Sequence, residues 1–298
     1  LDSQGTLDRA AKAQALGAEG EMLGQIHALQ FKAYFWGGDW VEAFRIGFEA
    51  LALLPPGGMW WNAVISNMFV IAGNTQPARM PELVGQFAAA SFAPDARFIF
   101  IDTACQLVIV FSLLGARAPA TLFLERMLAA GASVTEHDVA ARGFLRHGEA
   151  WYYRSLLADP YKTYQLAAES VAALRQTDDL RNIVIAYDLL AMTQVELGDL
   201  ATGEATVRQC MEVAERTKES YSIANASLYL SWVLAEKDDE DKQREADELA
   251  RQVIELNVSP GYTGFAHAIL SQLLLKKGLL AESVAPARQA VEMLAPMN

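Results

Sequence analysis

A few groups of residues in this chain could do chemistry. Glu136, His137 and Asp138 place three metal-ligand types in a row. Consecutive residues of a helix point about 100° apart, so these three cannot converge on one ion. They are expected instead to open a helix, with Thr135 as N-cap and acidic side chains in the first turn. His27, His147 and His267 have no ligand partner four residues away and are expected to be structural. No GxxxxGK[ST], no GxGxxG after a strand, no HExxH and no GxSxG occurs. The expectation is a non-enzyme with no cofactor and no metal. Aromatic side chains crowd together at Tyr34, Phe35, Trp36 and Trp40, at Trp60 and Trp61, and at Trp151, Tyr152 and Tyr153. Most are expected to pack between helices. Adjacent aromatics cannot all face inward, so ligand contact stays open for the rest.

Composition bounds the class. The chain has 298 residues, a net charge of −12 and 52% apolar residues, with 2 cysteines. That apolar fraction supports a substantial core, and two cysteines exclude a disulfide scaffold. Residues 1–149 carry 10 basic and 14 acidic side chains, and residues 150–298 carry 14 and 22. Neither half is basic, so nucleic acid and an anionic membrane surface are not expected partners. Residues 98–116 form an apolar run about long enough to span a bilayer. Asp102, Thr103, Gln106 and Ser112 interrupt it, and a mid-span Asp costs about 2.5–3.5 kcal/mol. A buried helix is the expectation. Nothing at the start resembles a signal peptide, and a cytoplasmic location is expected.

The elements that position these residues follow from an internal repeat. The stretch GGDWVEAFRIGFEALALLPP (37–56) recurs in altered form at 197–216 and 277–296. Gly38, Trp40, Ala43 and Ala50 in the first correspond to Gly198, Leu200, Gly203 and Cys210, then to Gly278, Leu280, Ser283 and Ala290. An apolar run with helical spacing precedes each Gly. Each unit therefore reads as helix A, a tight turn, and helix B, with small residues where A and B cross. Further turns are expected at positions 73, 115, 159 and 238, giving separations of 35 to 44 residues. Pro55, Pro56, Pro77, Pro81, Pro94, Pro119, Pro160 and Pro260 fall in predicted turns, whereas Pro286 falls inside the last B helix. Cys105 and Cys210 lie on helices two or more units apart and read as small buried residues rather than a disulfide.

This pattern resembles the tetratricopeptide repeat. Tyr34, Gly38, Trp40, Ala43, Ala50 and Pro55 carry the resemblance best, in a period near 40 rather than the family's about 34. Longer repeats of this kind are similar to the arrays of bacterial signalling ATPases, maltose-regulator-type activators and large serine/threonine kinases. The resemblance implies an all-α, right-handed superhelical solenoid of about seven helix–turn–helix units. Residues 1–18 would be the B-helix remnant of a preceding repeat and residues 19–298 the solenoid, the whole a fragment of a longer array. It also implies a concave groove lined by helix A. By register, that groove takes Lys32, Phe35, Trp60, Asn67, Asp102, Arg146, Glu149, Tyr153, Asp188, Met192, Asn225, Trp232, Phe265 and Gln272. Asn67, Arg146, Glu149, Tyr153, Asp188, Asn225 and Trp232 are the candidate ligand-binding set: Asn amides can hydrogen-bond a peptide backbone, and Tyr153 and Trp232 can anchor apolar groups. A clamp for a C-terminal carboxylate is not expected, because Ala63 stands where such a clamp has Lys. The expected function is a scaffold binding a protein or peptide segment, in a larger cytoplasmic signalling protein with a linked ATPase or kinase domain. The alternative is a sensor for a small molecule or short signalling peptide.

Overall fold

The computed structural model describes residues 3–134 and 137–295, apart from the Asn74 side chain. Thr135 and Glu136, the expected helix opening, lie outside the described residues. Among the described residues there are fifteen α-helices and no strand. They group into two compact units, residues 1–156 and 157–298.

The first unit runs α1 (Ser3–Ala15), α2 (Gly20–Gly37), α3 (Trp40–Leu53), α4 (Met59–Thr75), α5 (Met80–Ala89), α6 (Arg97–Leu113), α7 (Arg117–Gly131) and α8 (Val139–Tyr152). The second runs α9 (Pro160–Leu174), α10 (Leu180–Glu196), α11 (Leu200–Thr217), α12 (Ser220–Ala235), α13 (Glu240–Leu256), α14 (Pro260–Lys276) and α15 (Leu280–Leu294). Sequence neighbours pack as pairs: α2 on α3, α6 on α7, α10 on α11, α12 on α13 and α14 on α15. Alternate helices also pack on one another, α2 on α4, α4 on α6 and α6 on α8, then α10 on α12 and α12 on α14. Each unit is thus a short all-α solenoid of the expected kind, with the A helices inside the stack.

Local chemistry explains the pairs. At Gly198 the backbone is left-handed, φ 86°, which ends α10. The next residue, Asp199, accepts a hydrogen bond from the Thr202 N–H at 3.0 Å and so caps α11. The dipeptide Gly-Asp both stops one helix and starts the next. Asp39, Asp159, Asp179, Asp239 and Ser259 cap their helices in the same way. The two helix types differ in patterning. α13 buries only Ala246, Ala250 and Val253, one stripe of a B helix. α12 is buried on most sides, as an A helix between neighbours must be.

The structure corrects some local expectations. Gly73 lies inside α4, not at a turn. The helix ends two residues later because Pro77 disfavours a helical backbone at Gln76 and opens a 3-10 turn, Pro77–Arg79. Asp138, not Thr135, precedes the first residue of α8, and its side chain makes no capping bond. Pro119 sits in the first turn of α7, where its missing N–H costs nothing. Pro286 lies inside α15, as expected.

The apolar stretch Pro94–Leu113 is long and apolar enough to cross a membrane. Here it contains α6, which packs on α4, α7 and α8 and buries Phe100, Ile101, Ala104, Leu107 and Val108. Cys105 and Cys210 are free and buried.

Candidate functional site

Apart from Tyr153, the candidate residues lie on A helices of the two units. In the first unit, Asn67 is half-buried on α4. Arg146 and Glu149 are one turn apart on α8 and form an ion pair at 2.6 Å. Part of each charge is therefore already met within the helix, and such an exposed pair contributes little to stability. Tyr153 lies just past α8, at the first residue of a π-helical turn, Tyr153–Leu157. Its ring meets Tyr152 edge-on with centroids 6.4 Å apart. The π turn changes the phase of the helix, so register counted back from position 159 does not carry to Tyr153. His147 is buried on α8, and its Nε2 accepts a hydrogen bond from Trp151 Nε1 at 3.2 Å. Burial pulls its pKa down to about 4, so the ring is neutral.

In the second unit the structure brings Asp188 and Asn225 together. Both are buried, at 3% and 4% exposure. Asn225 Nδ2 donates to Asp188 Oδ2, and Asn225 Oδ1 accepts from the Tyr262 hydroxyl at 2.6 Å. Tyr262 also lies 3.1 Å from the Tyr221 hydroxyl, with the two rings 5.4 Å apart. On the other side, Cys210 Sγ is 3.4 Å from Asp188 Oδ1 and 3.5 Å from the Val184 carbonyl. The result is a polar ladder across α10, α12 and α14, footed on α11. Burial pushes the Asp188 carboxyl well above the usual carboxylate range, against the pull of the Cys210 and Asn225 hydrogen bonds. Burial likewise raises Cys210, with the Asp188 charge adding to it, and raises Tyr262.

This ladder changes what Asn225 can do. Its amide donor and acceptor are engaged inside the unit, so its role is to hold Tyr262 rather than to meet a ligand directly. Tyr262, Tyr221 and Cys210 were not legible as site residues. A signal existed in the spacing: Asp188, Asn225 and Tyr262 recur every 37 residues. The repeat advances 40 residues between α10 and α12 and between α12 and α14, so adjacent A helices meet with a shift of about one turn.

Within the ladder Tyr221 and Tyr262 are half-buried; elsewhere on α12 Trp232 is half-buried too, and Phe265 on α14 is 56% exposed. Gln272, one of the register positions, donates to Glu236 at 2.9 Å. Phe35 and Met192, also expected in the groove, are buried. Phe35 stacks on Trp40 with the rings 5° from parallel, and its carbonyl accepts a hydrogen bond from Trp40 Nε1 at 3.2 Å. Among the aromatic runs, Trp61 and Trp151 are buried too. A groove of about 400 Å³ between α14 and α15 is lined by Ala268, Ser271, Ala287, Ala290, Val291 and Leu294. Among the described residues, no group of three or more His, Cys, Asp or Glu is placed to hold a metal ion.

Comparison with known proteins adds little to this geometry. No family model matches the chain, and no curated protein does. Among solved structures, the chain matches the tetratricopeptide domain of P58(IPK) at 12% identity, covering 98% of this chain and 93% of that one with a TM-score of 0.24.

Proposed function

We propose that this chain is a protein-interaction scaffold whose A-helix surface takes a segment of a partner protein. The observation that carries this is Phe265. A large aromatic stands more than half exposed on an A helix, beside half-buried Tyr262 on the same helix and in an aromatic-rich stretch of the second unit. An exposed aromatic held on a rigid helix loses little entropy on binding and is a favoured anchor for a partner. Trp232, half-buried on α12, offers a second aromatic on an A helix. In the first unit, Asn67, Arg146, Glu149 and Tyr153 would supply polar contacts on its own A helices, and Asp188 and Asn225 would support the surface of the second unit from behind. On the sequence resemblance alone, we place this scaffold in a cytoplasmic bacterial signalling protein, where it would regulate a linked ATPase or kinase domain.

The test is selection of binding peptides from a random displayed library, followed by affinity measurement against variants. Phe265→Ala and Trp232→Ala should each weaken a selected peptide at least about tenfold, the loss typical of an interface anchor. Glu248→Ala, at an exposed position of α13, should leave it unchanged. Equal affinity for all three variants would refute the assignment.

A further inference from the structure

The polar ladder of the second unit contains a carboxyl group in an unusual setting. Asp188 is almost fully buried, and its oxygens meet two neutral donors, Asn225 Nδ2 and Cys210 Sγ. No cation faces it. From α11 comes Cys210, and from α12 Tyr221 and Asn225, with Tyr262 of α14 beyond, while Tyr187 on its own helix turns to Gln209. The buried residues of α9, which packs on α10, are Thr163, Leu166, Ala167, Ser170, Val171, Ala173 and Leu174, none ionisable. The Arg nearest along α10, Arg181, is two turns away and paired with Glu219. Losing water costs an ionised carboxylate far more than a neutral carboxyl.

The geometry also accommodates both protonation states. Cys210 Sγ lies within reach of two acceptors, Asp188 Oδ1 at 3.4 Å and the Val184 carbonyl at 3.5 Å. When Asp188 is ionised, the thiol donates to the carboxylate. When Asp188 is neutral, the thiol turns to Val184 and the carboxyl O–H donates to sulfur. Asn225 donates to the other oxygen in either state. Asn225 also accepts from Tyr262, so one side chain links Asp188 to α14, and an opening that lets water reach an ionised Asp188 strains that link too.

We propose that Asp188 is a proton-operated latch: neutral, it closes the contact of α10, α12 and α14, and ionised, it loosens that contact. The raised carboxyl pKa accords with this. The sign follows from linkage. The folded group holds its proton above the pH at which the unfolded one, near 3.9, has lost it. As pH rises between those two values, the closed state loses ground by about tenfold per pH unit. Above the folded value the loss levels off.

Hydrogen exchange measured by mass spectrometry between pH 5 and 8, corrected for intrinsic rates, tests this on the full chain. Peptides from α10, α12 and α14 should lose protection with rising pH in the wild type, by up to about tenfold per unit relative to Asp188→Asn. Peptides from α6 should show no difference between the two proteins. The Asn variant keeps the shape and an acceptor for Asn225 but cannot ionise, so the four His residues, whose effects are common to both proteins, cancel. Parallel pH profiles for the two proteins would overturn the latch. If Asp188→Asn does not fold, infrared titration of the wild type decides. A protonated-carboxyl band that outlasts those of the exposed carboxylates and vanishes together with the protection of α10, α12 and α14 upholds the latch, and a band that titrates with the exposed carboxylates overturns it.

Discussion

Two glycines in the first unit should respond to the same substitution with opposite signs. Gly47 lies inside α3 and Gly85 inside α5. In an isolated helix, Gly→Ala gains about 0.8–1 kcal/mol at either position, because Ala loses less backbone entropy. A Cβ at Gly85 meets nothing within 4 Å, so Gly85→Ala should stabilise by close to that amount. A Cβ at Gly47 would stand 2.4 Å from Met68 Sδ and 3.1 Å from the Phe31 ring. Met68 and Phe31 are themselves fully buried, so neither has room to withdraw. Overpacking of this kind costs about 1–3 kcal/mol, and a contact so far inside van der Waals distance belongs in the upper part of that range. Gly47→Ala should therefore be net destabilising by about 1–2 kcal/mol. Urea unfolding followed by tryptophan fluorescence reports on this unit, since Trp36, Trp40, Trp60, Trp61 and Trp151 all lie in it. Stabilisation of both variants would show that α3 does not sit against α2 and α4 as described.

The same logic applies where helices A and B cross: Ala43→Leu and Ala290→Leu, at 0% and 5% exposure, should each destabilise by about 1–3 kcal/mol. Unchanged melting temperatures would refute the repeat register. His147 titrates near 4 when folded against 6.5 when unfolded. Its contribution is fully present above pH 6.5 and is lost as pH falls toward 4, amounting to about 3 kcal/mol. His147→Gln should flatten that acid limb in urea titrations, and an unaltered limb would place the proton uptake elsewhere. Burial raises the pKa of Glu204, but Lys237, Lys242 and Arg208 gathered around its carboxylate outweigh that and pull it down to about 2. Glu204→Gln should lower stability at pH 7 and low salt, with the deficit shrinking in 1 M NaCl. A deficit indifferent to salt would make the loss one of packing.

Most of the helical grammar was legible along the chain. Gly-Asp at 38–39 and at 198–199 ends one helix and caps the next through bonds spanning only three residues. Such local chemistry is readable without knowing the fold. The turn near Gly73 was misplaced because glycine is tolerated inside a helix, and Pro77 decided the boundary instead. Register also placed Asp188 and Asn225 on the groove side of successive A helices. It could not say that their polar atoms face each other, nor that Tyr262 completes the set, because these contacts join residues 37 apart.

By itself, then, the sequence determined the helices, their pairing and the repeat, since apolar period, caps and breakers all act within a few residues. Only the tertiary structure decided which polar groups are buried and which aromatic is exposed. Asp188 and Phe265 both stand on A helices at groove-register positions, yet one is enclosed by α11 and α12 and the other stands out from α14. The difference lies in what packs over each side chain, and that is set by neighbours far away in the chain.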